Sequence, residues 1–470
     1  MRSWTPQQIA EAAGARLAAP GSHADGPARV TIDSRAVVPG DLFVGLPGET
    51  HDGGRFAAQA LAAGAWGVLV APGHAAGEGD GVVLAAEDPL AALQRLARAW
   101  RRELGAEVIA ITGSTGKTST KDILAALLEP HRRTFVSRGN FNTEIGLPLE
   151  LLAAPEGTEA LVLEMGMRGP GQIAELAAIA EPDVGVIVNI GPAHLELLGS
   201  LEAIAAAKAE LIADLRAGAT AVLPANEPLL DPHRRADGEI ATVTFGPGGD
   251  VTLVSQSAEG HVAIDAQGER IRLQLDFRQR HLRGNLLAAV AAARAIGVRP
   301  AGAVTVAFSG RRGERTRLRD GVTVIDDCYN ANPMSMRAAL DDLAATAGEG
   351  RRVAVLGDML ELGPDERRFH AEIGAHAAAS SVDLLVAVGE RSRAAADAFD
   401  GEAQVVADAA QAATLVPKLV RAGDTVLVKA SRGVGLEAVV QALADAAGAL
   451  PDPAVPPAAE AAPPAPEAAG

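Results

Sequence analysis

A short apolar run at residues 108–111 leads into Ile-Thr-Gly-Ser-Thr-Gly-Lys-Thr-Ser (111–119), and a helical pattern follows over 118–128. A strand, a glycine-rich turn and a helix in that order direct backbone N–H groups and a helix N-terminus at one point, which suits a phosphate. Gly113, Ser114, Thr115, Gly116 and Ser119 would shape the cradle. Lys117 would reach the β- and γ-phosphates, and the Thr118 hydroxyl would hold Mg²⁺. The loop is the short form Gly-x-x-Gly-Lys-Thr, with Ile111 where the strict pattern has glycine. A glycine-rich turn with a chance lysine is the alternative; the strand before and the helix after argue against it.

The same alternation organises most of the chain. Short apolar runs at 108–111, 161–164, 184–189 and 221–223 are separated by helical patterns, as in a parallel sheet covered on both faces. Residues 250–277 alternate with period two and predict an antiparallel excursion. A helix is expected over 281–296. Runs at 322–326, 353–357, 384–388 and 425–429 predict a second doubly wound domain. Ahead of both, residues 1–104 mix strands and helices. There Thr5, Pro6 and Gln8 have the pattern of a capping box, 31–46 reads as strand, turn at Pro39-Gly40-Asp41, strand, and a long helix is expected over 89–104. The expected organisation is α/β: residues 1–104, 105–310 and 311–450, then a disordered Pro/Ala-rich tail at 451–470.

Composition excludes several classes. The net charge of −17 opposes a duplex-DNA or anionic-membrane surface. Aromatic residues, at 3%, are too sparse for base-stacking platforms. One cysteine, Cys328, cannot build a disulfide framework and reads as a small packed residue. No signal-like apolar core opens the chain and no run of about 18 apolar residues interrupts it. A cytoplasmic protein with no membrane span is expected.

Polar residues at strand ends are the next candidates, because ligands of open parallel sheets bind beyond the carboxyl ends of the strands. Glu164 ends one strand, and His194 lies in the loop after another. Both could help hold a metal; a capping or surface role is the alternative for the histidine. Lys208 is four residues from both Ile204 and Ile212, on the apolar stripe of a helix capped by Ser200. It either snorkels outward or is buried with a depressed pKa, and a neutral amine can take up CO₂ as a Mg²⁺-binding carbamate. Basic residues and Asn285 stand at a helix start in 278–285, and Asp326-Asp327-Cys328-Tyr329-Asn330 follows the first strand of the last domain.

These segments together resemble the ATP-dependent Mur ligases of peptidoglycan synthesis. The resemblance rests on DSRAVVPGDLFVGL (33–46), TGSTGKTS (112–119), GNFNTEIGLPLELL (139–152), LEMGMRGPGQI (163–173), NIGPAHLELLGSLEAIAAAKAEL (189–211), DDCYNANPMSMRAAL (326–340), VLGDMLELG (355–363) and VKASRG (428–433). It implies three domains: one for a UDP-sugar, one for ATP, and a Rossmann-like C-terminal domain. It implies ATP-driven coupling of D-alanyl-D-alanine to UDP-MurNAc-tripeptide through an acyl phosphate, with ATP and Mg²⁺ required. A monomer without nucleic-acid partners is expected.

The resemblance also implies roles. Lys117 and Thr118 match the phosphate-loop lysine and metal hydroxyl, Glu164 and His194 match metal positions, and Lys208 matches a lysine carbamylated in the superfamily. Asn285 matches a position near adenine, and Tyr329 and Asn330 lie where the C-terminal domain meets the nucleotide. Ser34 and Arg35 match a uridine motif; Asn140, Asn142 and Thr143 match a loop near the acceptor carboxylate. The last domain opens with Ser309-Gly310-Arg311-Arg312-Gly313, a departure from the usual motif. Arg312 is taken as the ATP-contacting arginine, with Arg311 and Arg315 as alternatives. Another Mur ligase, a folylpolyglutamate synthase, a small-molecule P-loop kinase and a non-catalytic nucleotide-binding protein are the rival readings.

Overall fold

Thr5 opens the first helix, α1 (Pro6–Ala13), with a complete capping box: its hydroxyl accepts from Gln8 N, and the Gln8 side chain accepts from Thr5 N. Gly14 ends the helix in the left-handed region, at φ +60°. The computed structural model describes residues 1, 3–48, 51–75, 80–235, 238–346 and 350–447; the tail expected at 451–470 lies outside them.

Five strands follow: β1 (Arg16–Ala19), β2 (Arg29–Thr31), β3 (Asp41–Val44), β4 (Gly67–Val70) and β5 (Val82–Ala85). They form one sheet in the order β1-β5-β4-β3-β2, parallel except for β1. Helix α2 (Ala57–Ala62) precedes β4. Of the two strands expected within 31–46, β3 lies inside that span and β2 ends at its first residue, Thr31; they run parallel, so their link is a crossover and not a hairpin. The Arg29 guanidinium holds this link, donating to Ala36 O at 2.7 Å and to both Asp41 carboxylate oxygens.

Helix α3 (Pro89–Leu104), capped by Asp88, leaves this sheet. Its Trp100 is fully buried and donates to Ala154 O at 3.0 Å. Its Arg101 is also buried and binds Ala180 O, Glu181 O and Asp183. One continuous apolar core therefore runs from Ile9 through Leu96 to Leu211, and the first two sheets pack as one unit, Met1–Ser309 with Glu361–Pro364.

The second sheet has ten strands: β6 (Glu107–Thr112), β7 (Thr134–Val136), β8 (Ala160–Glu164), β9 (Val184–Ile187), β10 (Thr220–Pro224), β11 (Ala241–Phe245), β12 (Val251–Gln256), β13 (His261–Ala266), β14 (Glu269–Leu275) and β15 (Gly302–Val304). Their order is β15-β14-β13-β12-β11-β10-β9-β6-β8-β7. The expected antiparallel excursion is β12–β13–β14. Helices α4 (Lys117–Leu128), α5 (Gly146–Ala153), α6 (Gln172–Ala180), α7 (Leu195–Leu198), α8 (Leu201–Ala213) and α9 (Leu282–Ala295) connect and cover it. Strand β6 lies between β8 and β9, so the chain leaves it first to one side and then to the other. That switch opens a crevice beyond the carboxyl end of β6.

The second unit begins at Gly310, one residue before the expected boundary, and holds a six-stranded sheet. Its strands are β16 (Glu314–Arg317), β17 (Thr323–Asp327), β18 (Arg352–Gly357), β19 (Leu384–Val388), β20 (Glu402–Val406) and β21 (Thr425–Lys429). They run β16-β17-β21-β18-β19-β20, parallel except for the β16 edge, with helices between them. Three doubly wound or mixed α/β sheets are thus present. No helix among the described residues is long and apolar enough to cross a membrane.

Candidate active site

The crevice beyond β6 gathers several of the sequence motifs. Strand β6 delivers Gly113–Gly116, and α4 starts at Lys117. Gly116 adopts φ +77°, and a Cβ there would lie 2.3 Å from Asn285 Nδ2. Only glycine fits both demands. Asn285 uses that proximity: its Nδ2 donates to Gly116 O and to Thr120 Oγ1, each at 2.8 Å. Its carboxamide thus braces one flank of the phosphate loop. Lys117 Nζ folds onto Gly113 O at 2.9 Å.

Strand β8 carries Glu164 to the same crevice, with 4% exposure. Its Oε2 accepts from the buried Thr118 hydroxyl at 2.5 Å, and its Oε1 accepts from Asn142 Nδ2 at 2.9 Å. Its backbone N–H donates to Ser137 Oγ, whose carbonyl receives the buried Lys121 ammonium at 2.6 Å. The carboxylate is therefore fixed from both of its oxygens and from its main chain.

Asn140, Asn142 and Thr143 form one loop. It is pinned by the fully buried Glu150, which accepts from Arg138 N at 2.7 Å and from its guanidinium. Thr143 Oγ1 accepts from Gly146 N, and Asn140 O accepts from Asn142 N at 2.8 Å. The structure thus brings Asn142 onto Glu164, while Asn140 stays exposed.

Lys208 is 2% exposed, so of the two readings burial is the one realised. Desolvation, helped by the nearby Lys117 charge, holds its ammonium pKa well below the ordinary lysine range. His194 caps α7 at φ +60° and is half-buried. Burial lowers its pKa; pairing of Nδ1 with Glu361 opposes this, and the Lys117 and Lys208 charges add to it. Lys117, Lys208 and His194 are close enough to feel one another's charge.

Thr118 and Glu164 present a hydroxyl and a carboxylate, the hard oxygen donors that Mg²⁺ prefers. No group of three or more His, Cys, Asp and Glu is gathered among the described residues. Mg²⁺ fits such a sparse set, because it keeps several waters and completes its octahedron with substrate phosphates.

The other expected residues stand on other elements. Ser34 and Arg35 form a 3₁₀ turn after β2, where Arg35 makes a bidentate pair with Asp33 and holds that carboxyl at about 2. In the second unit the Arg312 guanidinium lies 3.8 Å from the Tyr329 ring centroid, with Arg432 at 5.8 Å. Arg311 and Arg315 instead pair with Glu437 and Asp342. The Asn330 side chain accepts from Ala331 N, while its carbonyl receives the buried Lys429 ammonium at 3.0 Å. Cys328 is a packed thiol, pushed up by burial.

Sequence reasoning overlooked several participants. Lys429 pairs with Asp327 at 2.6 Å and so anchors the loop that bears Tyr329. Ser137 and Glu361 act at a distance in sequence that no local pattern reveals. Asn189 lies inside a motif already singled out, and its position after β9 was the available signal.

A phosphate loop at the switch point of a parallel sheet, joined to two further α/β sheets, defines a three-domain nucleotide-dependent ligase fold. Residues 28–101 match the Mur ligase family catalytic domain, 111–293 the Mur ligase middle domain, and 311–432 the Mur ligase glutamate ligase domain. The chain belongs to the Mur ligase family. It is 39% identical over 428 residues to the UDP-N-acetylmuramoyl-tripeptide–D-alanyl-D-alanine ligase of Bacillus subtilis, covering 88% of this chain and 92% of that one. To the Escherichia coli enzyme of the same name it is 33% identical, covering 88% and 93%. Among solved structures, MurF from Acinetobacter baumannii superposes with a TM-score of 0.84 at 29% identity, over 94% of this chain and 99% of that one. The Thermotoga maritima MurF ligase in complex with ADP gives 0.76 at 31% identity, over 89% and 97%.

Proposed function

We propose that this chain is the ATP-dependent ligase that joins D-alanyl-D-alanine to UDP-N-acetylmuramoyl-tripeptide. The observation that carries the reading is the Thr118–Glu164 pair beside Lys117 and Lys208 at the phosphate loop, in a chain 39% identical to such a ligase over most of its length. Residues 1–104 bind the UDP-sugar, 105–310 bind ATP, and 311–450 form the ligase domain that brings in the dipeptide.

The chemistry follows from the substrates. A carboxylate is a poor electrophile, so an oxygen of the tripeptide carboxylate attacks the γ-phosphorus and ADP departs. The amine of D-alanyl-D-alanine adds to the acyl-phosphate carbonyl, loses a proton, and the tetrahedral adduct expels inorganic phosphate. Lys117 swings from Gly113 O onto the β- and γ-phosphates, and the first-turn N–H groups of α4 donate to phosphate oxygens. Thr118 and Glu164, with His194, would hold Mg²⁺, which would supply charge neutralisation on the transferring phosphoryl. Asn142 keeps Glu164 turned toward Thr118.

Burial lowers the pKa of Lys208, and its neutral amine form attacks CO₂ and sheds one proton to leave a carbamate beside Lys117. That modification is tested by a mass increase of one CO₂, lost on acidification and absent in Lys208→Met. Asn285, Asn330 and Arg312, the last stacked on Tyr329, serve the nucleotide. Ser34 and Arg35 serve the uridine, and Asn140 and Thr143 serve the acceptor peptide. The chain works as a cytoplasmic monomer.

The test is phosphate release from Mg-ATP and UDP-MurNAc-tripeptide, with and without D-alanyl-D-alanine. Dipeptide-dependent release with a pentapeptide product is expected. Release with glutamate or a single amino acid instead would overturn the substrate assignment. Phosphorylated product without phosphate release would make the protein a kinase.

A further inference from the structure

The phosphate loop is braced on a second flank, opposite in sequence to Asn285, by the segment that follows β9. Gly113 runs so close to it that a Cβ would lie 3.0 Å from Val188 Cβ. Asn189 then grips Thr115 from both sides of one peptide residue: its Oδ1 accepts from Thr115 N at 3.0 Å, and its Nδ2 donates to Thr115 O at 3.0 Å. Its own carbonyl accepts from Ser114 N at 3.2 Å. Two residues on, Gly191 exchanges hydrogen bonds with Ser114 Oγ, both at 2.9 Å. Ala193 N closes back on Gly191 O at 2.8 Å, and His194 follows.

This arrangement divides the loop's amides. The N–H groups of Ser114 and Thr115 are engaged within the protein, so they are not the donors a phosphate meets in this conformation. The phosphate-facing donors are those of the first turn of α4, which have no acceptor inside their own helix. The loop must therefore be held at a fixed angle to α4 for those amides to converge, and a side-chain carboxamide has the one donor and one acceptor needed to grip a peptide residue.

We propose that Asn189 is a positioning residue for nucleotide binding: it holds Thr115 so that the loop stays open for the phosphates, and it ties that loop to the segment bearing His194. This rests on the ATP reading above. Asn189 touches no substrate; it acts through the loop.

The test compares Asn189→Ala, which removes both side-chain bonds, with the isosteric Asn189→Asp. The aspartate keeps an acceptor for Thr115 N–H but places a carboxylate oxygen where Nδ2 met Thr115 O. ADP affinity is read directly by displacement of a fluorescent ADP analogue, and KM is measured separately for ATP and for the dipeptide. The expected result is ADP binding weaker by about tenfold in Asn189→Ala, equivalent to about 1.4 kcal/mol. The loss should be larger in Asn189→Asp, with KM for ATP raised in parallel and KM for the dipeptide within about twofold of wild type. ADP affinity within twofold of wild type in both variants would overturn the proposal. So would an equal rise in both KM values, or loss of cooperative melting in both variants, since either makes Asn189 a general determinant of the fold. If wild type binds ADP yet performs no ligation, the functional reading fails while the role of Asn189 stands.

Discussion

Lys208 should make the fold less stable than an apolar residue of its length would. It lies on α8 among the buried residues Ile204, Ala205, Leu211 and Ile212, and is itself 2% exposed. Its pKa is lowered by desolvation and by the Lys117 charge. Taking a polar group out of water into apolar surroundings costs about 1–3 kcal/mol. Methionine matches the length of the lysine stem and fills irregular apolar space. In CO₂-depleted buffer, Lys208→Met should therefore be more stable by about 1–3 kcal/mol. At roughly 2 °C per kcal/mol for a large unit, this is a Tm gain of about 2–6 °C.

The sign of the pH dependence follows. The unfolded lysine titrates near 10.4, and the folded one lower. Between the two values the unfolded state binds the extra proton, so wild-type stability falls as pH is lowered through that window. The variant has no such group, so its advantage should grow as pH falls. The assay is thermal melting across that range, with and without bicarbonate. Bicarbonate should raise the wild-type Tm by linkage and leave the variant unchanged. Turnover should be lost in Lys208→Met, and short carboxylates should partly restore Lys208→Ala. Equal melting of wild type and variant at every pH, or full activity in the variant, would refute the reasoning.

Thr118→Val removes the hydroxyl that donates to Glu164, so the Mg²⁺ concentration needed for half-maximal rate should rise several-fold; an unchanged Mg²⁺ titration would count against this pair. His194 has a lowered pKa, so it stays neutral below the ordinary imidazole value of about 6.5; any acid limb of kcat/KM assigned to it by comparison with His194→Gln should fall below that value. Arg312→Ala should raise KM for ATP by about tenfold, in line with loss of a stacked guanidinium worth about 1–2 kcal/mol, whereas Arg311→Ala should change it little.

Much of this site was legible because it is built from local rules. The phosphate loop needs consecutive glycines, a lysine and a helix start, all within one stretch of chain. The capping box at Thr5 and the cap at Ser200 are equally local, and the burial of Lys208 was one of two outcomes that the stripe of α8 allowed. What could not be read depends on which strand neighbours which. The parallel pairing of β2 and β3 hid behind an ordinary turn signal, because Pro39 and Gly40 mark a reversal but do not set its partner. The motif matched Asn142 to a loop near the acceptor carboxylate; its contact with Glu164 was not legible, because it exists only once β8 returns beside β6. Asn189 and Ser137 are short polar side chains whose roles exist only once the loops after β9 and β7 reach the crevice.

The acyl phosphate is the central chemical claim, and heavy-oxygen transfer tests it most directly. UDP-MurNAc-tripeptide labelled with heavy oxygen in its C-terminal carboxylate is incubated with Mg-ATP, D-alanyl-D-alanine and the protein, and the released phosphate is analysed by mass spectrometry. Attack of the carboxylate on the γ-phosphorus predicts one labelled oxygen in each inorganic phosphate formed alongside pentapeptide. Unlabelled phosphate, with label retained or lost to water, would contradict it.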